Sequence, residues 1–489
     1  MEYGGNVMEQ GLKKKYNLVT AIAMVVGIVI GSGVFFKAEA VLKATGGDMP
    51  TGILAWAIVG LIMIVCSYSF AVMATRYERV NGIVDYAEVT MGKKYGYYIG
   101  WFMAIIYYPT LTSVLAWVSA RFTMVMLGSS DITGGACMTI AGFYLIASYC
   151  LNALSPILAG KFQVSATFIK LVPLALMAVA GTIYGLANGT LVNNFTVGLT
   201  ADQINGALAD AGQTANYVAN ASPLFASIVS VAFAYEGWII ATSINSELKD
   251  SKRNLPKALI IGSLVVVSVY ILYYVGLAGG IDKLQLIVSG QEGAKQAFMA
   301  VFSQGIGSLI FAFVVISCLG TLNGLMLGCT RGMYCLSVRN QGPNPRMFNQ
   351  VDEKTNMPAN SSIFGLLLCG VWLMFFYGAN LVPKPWFGPV AFDTSELPII
   401  TLYAFYIPIF LCMTKSKDLN TFRRFIMPIL SIIGCLFMVF AALYAHSRTG
   451  GKLAVWNTPV SWYLIIFAVV MAIGAFFYKK ERDSGKNTI

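Results

Sequence analysis

The chain has 489 residues, of which 57% are hydrophobic and only 11% are charged, and its mean hydropathy is +0.70. A soluble domain usually has about 25% charged residues, so this composition excludes an ordinary water-soluble protein. The formal net charge of +11 comes from basic residues scattered over short connections, which argues against a nucleic-acid-binding face.

Twelve apolar stretches follow one another along the chain. A membrane-spanning helix needs roughly 20 such residues. Lipid cannot satisfy free backbone N–H and C=O groups, so each stretch should close its own hydrogen bonds as a helix. The pattern predicts an all-α membrane protein. The predicted spans are 17–44, 50–75, 97–127, 134–155, 162–187, 222–246, 257–280, 300–335, 361–380, 396–414, 424–445 and 459–478.

Lysine and arginine are distributed unevenly between the two sides of this arrangement. If the N-terminus is cytoplasmic, 24 of the 33 basic residues lie in inner segments and 7 in outer ones, among them Lys37; Arg121 and Lys170 remain inside spans. This positive-inside bias predicts that both termini are cytoplasmic. Because no cleavable signal peptide or separate soluble domain is expected, we predict one domain, residues 1–489, in the plasma (inner) membrane.

The side chains that metal and acid–base chemistry need are scarce. His446 is the only histidine, and the nine cysteines lie in or near apolar spans, where cysteine behaves as a small hydrophobic residue. No CxxC, HExxH or nucleotide-phosphate loop is present. We therefore expect no enzyme, no metal and no cofactor. Cys137, near the outer end of span 4, is the cysteine most open to solvent in this reading.

Two outer connections are longer than the others. Residues 188–221 are polar, and residues 381–396 are rich in proline and aromatic side chains. Either segment could be a lid, but a plain surface loop is the commoner structure and is the one expected here.

Spans 1 and 6 contain residues that interrupt a membrane helix. Span 1 carries three glycines and a serine in the run GIVIGSGVF, and each glycine destabilises a helix by about 1 kcal/mol relative to alanine. Span 6 carries FAYEGW, in which Glu236 lies near mid-span, where a carboxylate should face a cavity or a partner. Close helix packing explains the glycines alone equally well, but it does not explain Glu236.

The two interruptions are five spans apart, which favours a five-plus-five inverted repeat whose first helices are discontinuous. Residues 17–187 would form the first repeat, 222–414 the second, and 424–478 two additional helices. A helix that begins after a break points amide N–H groups and its positive dipole end at an anion, while unwound carbonyls accept from an ammonium group. A site with both features suits a zwitterion such as an α-amino acid.

Lys170, in the run TFIKLVP, is a second charge inside a span. It lies about 12 Å into span 5 at 1.5 Å per residue, and snorkelling would bring its ammonium group partway to the inner surface. The functional alternative is a fixed or proton-carrying cation that bridges helices. Tyr107 and Tyr108 are candidates for lining a cavity, although aromatic packing is the commoner explanation for such a pair.

Three runs of sequence resemble a known family. GIVIGSGVF, FAYEGW followed by SELKDSKRNLPKA, and CLGTLNGLMLGCTRGMYCLSVRNQGPNP are similar to motifs of the amino acid–polyamine–organocation (APC) superfamily. The branch they resemble is the bacterial L-amino-acid-transporter (LAT) type, which is similar to serine/threonine exchangers. The resemblance covers about residues 11 to 360 and implies the LeuT-type repeat with broken helices 1 and 6.

The resemblance implies roles for individual residues. Amides of span 1 would hold the substrate carboxylate, carbonyls of both breaks would hold its amino group, and Phe233 would close over it from outside. Lys170 would occupy the sodium position of related transporters and tie span 1 to span 8. The implied substrate-binding residues are Ile28, Val29, Gly31, Ser32, Gly33, Phe233, Ala234, Tyr235 and Glu236. The implied coupling or gating residues are Lys170, Ser317 and Asn323.

Two places depart from the family pattern. Glu236 stands where relatives carry glycine or aspartate, so it either selects a polar or cationic side chain or caps the second half of span 6. The run NGIVDYAEVTMG, in an inner-gate region, lacks the usual glycine pair.

The resemblance implies a secondary active amino acid transporter, a sodium-independent exchanger that works by alternating access. A proton-coupled symporter with Lys170 or Glu236 as proton carrier and a polyamine or amine carrier are the alternatives. A channel or receptor is disfavoured because no polar pore stripe and no soluble output domain is evident. We expect no nucleic acid and no obligatory protein partner, because Cys137 poorly matches the outer-loop cysteine that pairs eukaryotic members with a single-span glycoprotein.

Overall fold

The structure is a computed structural model that describes residues 17–77, 82–129, 131–239, 248–449 and 452–478. The described chain is almost entirely helical, as predicted. The helices in the first half are α1 (Leu18–Val29), α2 (Gly33–Ala44), α3 (Met49–Arg76), α4 (Ile83–Met91), α5 (Lys93–Phe102), α6 (Tyr108–Met126), α7 (Gly135–Leu154), α8 (Pro156–Ile169), α9 (Leu171–Leu176), α10 (Thr182–Ala187), α11 (Thr190–Thr196) and α12 (Ala201–Asp210).

The second half continues in the same way. Its helices are α13 (Pro223–Ala234), α14 (Ser251–Gly280), α15 (Lys283–Ser289), α16 (Gln291–Phe302), α17 (Gln304–Ser337), α18 (Pro345–Phe348), α19 (Ala359–Phe376), α20 (Leu397–Met413), α21 (Met427–His446) and α22 (Pro459–Phe477). In the described part of the chain, four π-helical turns lie next to these helices, at Met103–Tyr107, Met177–Gly181, Tyr377–Leu381 and Phe422–Ile426. One antiparallel pair of two-residue strands, Arg448–Thr449 with Lys452–Leu453, precedes α22.

Within the described residues, nine helices are long and apolar enough to cross a membrane. They are Met49–Arg76, Lys93–Met126, Gly135–Leu154, Pro156–Ala187, Ser251–Gly280, Gln304–Ser337, Ala359–Leu381, Phe422–His446 and Pro459–Phe477. Three shorter apolar helices, Leu18–Gly27, Pro223–Ala234 and Leu397–Met413, coincide with predicted spans 1, 6 and 10.

The predicted interruption of span 1 is present, and the helix of span 6 ends where its interruption is predicted. α1 ends at Val29, and residues 30–32 are unwound before α2 begins at Gly33. α13 ends at Ala234, and the chain then turns through Gly237, whose φ of +100° is a conformation that glycine adopts without steric cost. Residues 240–246, the rest of predicted span 6, lie outside the described residues.

Span 5 is interrupted more gently. Lys170 separates α8 from α9, and Pro173, which has no backbone N–H, cannot continue the helical hydrogen bonding across this point. The π-helical turn Met177–Gly181 follows. The helix nevertheless continues to Ala187, so Lys170 stays at membrane depth as the sequence predicts.

Two outer features differ from the sequence-based expectation. Residues 188–221 are not a plain surface loop, because they contain α11 and α12, and buried Asn194 donates from its amide to the carbonyl oxygens of Ala278 (2.6 Å) and Ile281 (3.0 Å). Cys137, expected to be open to solvent, is fully buried.

Spans 5 and 7 approach each other most closely through glycines. A Cβ added at Gly276 would lie 2.1 Å from the carbonyl oxygen of Met177, and one added at Gly279 would lie 2.2 Å from that of Gly181. Such small residues let two membrane helices pack backbone against backbone. This crossing fixes span 7 against the helix that carries Lys170.

We predict that Gly276→Ala destabilises the protein by about 1–3 kcal/mol, because the added methyl group must displace backbone rather than a flexible side chain. Thermal unfolding in detergent measures the effect. Gly370→Ala on α19 is the matched control, because nothing lies within 4 Å of its added Cβ. Equal melting temperatures for the two variants would show that the crossing is looser than described.

Candidate functional site

The two interrupted helices cross at their breaks. A Cβ added at Gly33, the first residue of α2, would lie 2.5 Å from Cα of Ala234, the last residue of α13. The close packing of the two helices therefore explains why residue 33 is glycine. The same close approach also brings the unwound ends of both helices to one place in the interior.

Backbone groups that the breaks release are satisfied by side chains from other helices. The Tyr270 hydroxyl lies 3.0 Å from the carbonyl oxygen of Val29 and 3.1 Å from that of Ala234, within donating distance of both breaks. The Lys170 ammonium group donates to the carbonyl oxygen of Gly27 (2.5 Å). The backbone N–H of Ser32 donates to Oγ1 of Thr321 on α17 (3.2 Å).

A cavity of about 240 Å³ lies where the breaks meet. Small-molecule pockets usually span roughly 300–1,000 Å³, so this one suits a small ligand. Eight of the twelve predicted site residues line it. The lining consists of Val29, Gly31, Ser32, Gly33, Tyr107, Leu111, Leu115, Gln163, Lys170, Phe233, Ala234, Glu236, Gly237, Thr321, Gly324, Leu325 and Leu327.

Glu236 is the carboxylate of this cavity. Its Oε1 accepts a hydrogen bond from the Tyr107 hydroxyl (2.6 Å), while its Oε2 is buried and has no side-chain partner among the described residues. Tyr107, for which packing was the favoured explanation, thus belongs to the site. One oxygen of a carboxylate that lines the cavity is thus without a side-chain partner among the described residues.

The cavity is covered by aromatic rings on the side that the sequence predicts to face outward. Phe233 packs edge to face on Phe36 with ring centroids 5.8 Å apart, and Phe36 does the same with Trp117 at 5.9 Å. Trp117 in turn contacts Phe376 at 5.1 Å. Phe233, the residue expected to close over a substrate, is therefore part of a continuous aromatic layer.

Toward the predicted inner side the cavity adjoins a second one of about 230 Å³, and the two share Gly324 and Leu327. Arg331 and Tyr108 help to line the second cavity. Beyond it, Arg339 at the end of α17 pairs with Asp85 (2.5 Å) and Glu88 (3.2 Å) of α4. These carboxylates belong to the run that departs from the family pattern, so ion pairs link that run to the segment that follows α17.

Four predicted site residues do not line the cavity. Tyr235 turns away and donates to the carbonyl oxygen of Trp56 (3.1 Å). The Ser317 hydroxyl is buried without a partner among the described residues, and its carbonyl accepts from Thr321 Oγ1 (3.0 Å). Asn323 instead ties α17 to Asn152 of α7 (2.9 Å) and Gln163 of α8 (3.1 Å). Ile28 lies in the last turn of α1, and its side chain is outside the described part of the chain.

The sequence analysis missed Thr321, Gln163 and Tyr270. Thr321 lies four residues, about one helical turn, from Ser317, which the resemblance had implied as a coupling or gating residue. A helix-face argument would have found Thr321 beside Ser317. Tyr270 is one of several tyrosines in an apolar helix, and nothing in the sequence separates it from Tyr273 and Tyr274.

Comparison with known proteins decides the family. The family model described as amino acid permease matches residues 16–473. The chain belongs to the amino acid permease family. Its relatives are transporters and permeases, which confirms the predictions of an APC-type, LAT-like membrane transporter and of no enzyme.

Individual relatives are distant but cover most of the chain. The chain is 25% identical to the serine/threonine exchanger SteT of Bacillus subtilis (strain 168), over 91% of this chain and 94% of the relative. It is 23% identical to the cystine/glutamate transporter of Homo sapiens, over 93% and 86%. It is 25% identical to the b(0,+)-type amino acid transporter 1 of Homo sapiens, over 74% and 70%. The permease is thus a multi-pass amino acid transporter.

We predict that Tyr270→Phe destabilises this permease by about 1–3 kcal/mol, because it leaves a buried carbonyl at a helix break without its donor. Tyr273→Phe on the same helix is the control, because the buried Tyr273 hydroxyl has no partner among the described residues. Thermal unfolding of both variants without substrate is the measurement. A Tyr270→Phe protein as stable as Tyr273→Phe would contradict the bridging role.

Proposed function

We propose that this permease is a secondary active, sodium-independent amino acid exchanger that works by alternating access. The observation that carries the proposal is the meeting of two helix breaks at one small cavity in a member of the amino acid permease family. We infer twelve crossings, with residues 17–187 and 222–414 as inverted repeats and 424–478 as two further helices. The chain acts alone in the plasma membrane with both termini cytoplasmic; buried Cys137 is unsuited to an intermolecular disulfide.

The backbone end of an amino acid fits the two breaks. α2 begins at Gly33 and directs its first amides and positive dipole end at the cavity, which favours a carboxylate. The carbonyl oxygens of Val29 and Ala234 lie at the edge of the same cavity, and each has a second lone pair beside the Tyr270 hydroxyl. An ammonium group is a suitable donor to them.

Lys170 supports independence from sodium. Its ammonium group already provides a positive charge at the α1 break, where it holds the carbonyl of Gly27 from span 5. A fixed cation and a bound metal cation would compete for the same carbonyl oxygens. The expected second tie, from Lys170 to span 8, stays a prediction, with Thr321 as the residue of α17 that contacts the break.

Glu236 and Tyr107 are polar residues of the cavity that are not required to bind the carboxylate and ammonium groups of the substrate. We infer that they contact the substrate side chain, and that the free Oε2 of Glu236 favours a side chain that carries a hydrogen-bond donor or a positive charge. The same oxygen favours one alternative, a symporter in which Glu236 carries a proton. A polyamine or amine carrier remains the other alternative, since it would use Glu236 without the amides of α2.

Uptake of labelled amino acids into proteoliposomes tests the function. Vesicles are empty or preloaded with unlabelled amino acid, with and without sodium and a pH gradient. An exchanger takes up label only into preloaded vesicles and does so equally without sodium. Uptake into empty vesicles driven by a proton gradient would instead establish a symporter. Competition by amines that lack a carboxylate group would identify an amine carrier.

We predict that Lys170→Ala lowers the exchange rate by roughly tenfold or more, because it removes a charge-assisted hydrogen bond at the break. Lys161→Ala, which removes an exposed lysine from the same helix, is the control and should leave the rate unchanged. Size-exclusion profiles establish that both variants fold. A fully active Lys170→Ala protein would refute the coupling role of this residue.

We predict that Glu236→Gln changes the ranking of substrates more than it changes stability. Glutamine keeps an oxygen that accepts from Tyr107 but removes the negative charge, so uptake of substrates with cationic side chains should fall most. The same amino acid panel measures this, with Glu292→Gln, an exposed outer position, as the control. An unchanged substrate profile would return Glu236 to a structural, capping role.

A further inference from the structure

A second buried cluster of charged residues lies on the outer side of the aromatic layer. Lys37 of α2, which the sequence analysis counted among the outer cations, is only 2% exposed. Its ammonium group lies 2.9 Å from Glu396 Oε1, 3.0 Å from Ser395 Oγ and 3.7 Å from Asp393 Oδ2. The end of segment 381–396, expected to be a plain surface loop, therefore enters the interior.

Glu396 is the centre of this cluster. Oε1 accepts from Lys37 and, at 2.7 Å, from the Ser230 hydroxyl of α13, while Oε2 lies 3.1 Å from Nε2 of His446 at the end of α21. One carboxylate thus joins four elements. Two of them, α2 and α13, are the outer halves of the interrupted spans.

The cluster also contacts the cover of the cavity. The Lys37 ammonium group lies 4.9 Å from the ring centroid of Phe36 and 5.5 Å from that of Phe233, within the range of cation–π attraction. Opening the cavity to the outside requires these two rings to move. Lys37, which is on the same helix as Phe36, would then leave Glu396.

We propose that the Lys37–Glu396 ion pair holds the outer side closed, and that His446 is a proton site that loosens this closure when it is protonated. The proposal rests on alternating access in the proposed function, because it concerns the step in which the outer side opens. It assigns a role to the only histidine of the chain.

The direction of the pH effect follows from the contacts that are broken when the outer side opens. Lys37 and His446 bind the two oxygens of one carboxylate, so a protonated imidazole repels the ammonium group while the outer side is closed. After opening, Glu396 keeps His446 but loses Lys37, and the repulsion disappears. A protonated His446 therefore weakens the hold of Glu396 on Lys37 in the closed arrangement, and acid favours opening.

The other charged groups near His446 do not reverse this sign. Asp393 lies in the same segment as Glu396, so its attraction for a protonated His446 is present in both arrangements. Of the helices packed against α21, α13, α20 and α22 contain no charged residue, and the charged residue of α3, Arg76, is at its inner end, paired with Asp418. Arg423 and Arg424 lie in the π-helical turn before α21, at the end opposite to His446. Arg448 follows His446 by two residues, so its repulsion of a protonated imidazole is present in both arrangements. Asp48 caps the outer end of α3 and would only strengthen the binding of a proton.

Cysteine labelling on intact cells tests the proposal without any amino acid. Leu115→Cys places a thiol on the cavity wall beneath the aromatic layer, and Val218→Cys places one on an outer segment that is 80% exposed. A membrane-impermeant thiol reagent is added outside at about pH 7.5 and at about pH 5.5, the range in which histidine changes charge. The ratio of the two labelling rates removes the pH dependence of the thiol reaction itself, and the chain without an introduced cysteine gives the background.

We expect the ratio of labelling at position 115 to labelling at position 218 to rise roughly threefold or more on acidification, the size of a cation–cation repulsion screened by water. His446→Gln, which cannot take up the proton, should abolish the rise. Lys37→Met should raise the ratio at both pH values, whereas Lys43→Met, an exposed lysine of the same helix, should not.

Two results would overturn the proposal: a pH response that survives in His446→Gln, or an unchanged ratio in Lys37→Met. If Lys37→Met fails to fold, the His446→Gln comparison decides alone. Because labelling needs no substrate, an expected pH response together with failed exchange would reject the proposed function and retain the proton site.

Discussion

The close crossing of two interrupted helices at Gly33 and Ala234 is the constraint on which the rest of the structure depends. A break in a membrane helix exposes backbone groups that lipid cannot satisfy, so it persists only where other helices supply partners. Tyr270, Lys170 and Thr321 supply them here, from spans 7, 5 and 8. The glycine contacts between spans 5 and 7 serve the same end, because they hold two of these partners in position.

The molecule carries a different kind of closure at each end of this core. On the predicted outer side, aromatic rings cover the cavity and the buried Lys37–Glu396 ion pair lies next to them. On the predicted inner side, Arg339 bridges to two carboxylates of α4 beyond a second cavity. Buried ion pairs add little net stability because desolvation offsets their attraction, yet they are costly to split unless water reaches both partners. That property suits the proposed exchanger, in which such contacts would form and break as the cavity changes sides.

Two buried charges near the cavity are accommodated in opposite ways. Lys170 directs its ammonium group to a backbone carbonyl, so its charge is used within the protein. Glu236 uses one oxygen for Tyr107 and keeps the other without a side-chain partner. A charged group that donates to a backbone carbonyl at a helix break is suited to holding that break together. A carboxylate with one oxygen that has no side-chain partner is suited to binding a ligand or a proton.

The sequence alone determined the features that depend on local chemistry. Long apolar runs predict helices because lipid offers no alternative for the backbone, and the glycines of span 1 and the FAYEGW run predict the breaks because those residues are costly in a membrane helix. Eight residues that were predicted from these breaks and from a family resemblance line the cavity.

Only the tertiary structure decided which side chains from distant spans reach the breaks. Tyr270 is indistinguishable in sequence from Tyr273, and Asn323 faces α7 and α8 instead of the cavity. From the sequence, Lys37 is one more charge of an outer segment, but in the structure it contacts Glu396, which is 359 positions away. Such contacts depend on how helices rotate and cross, and that is set by packing between segments that lie far apart in the chain.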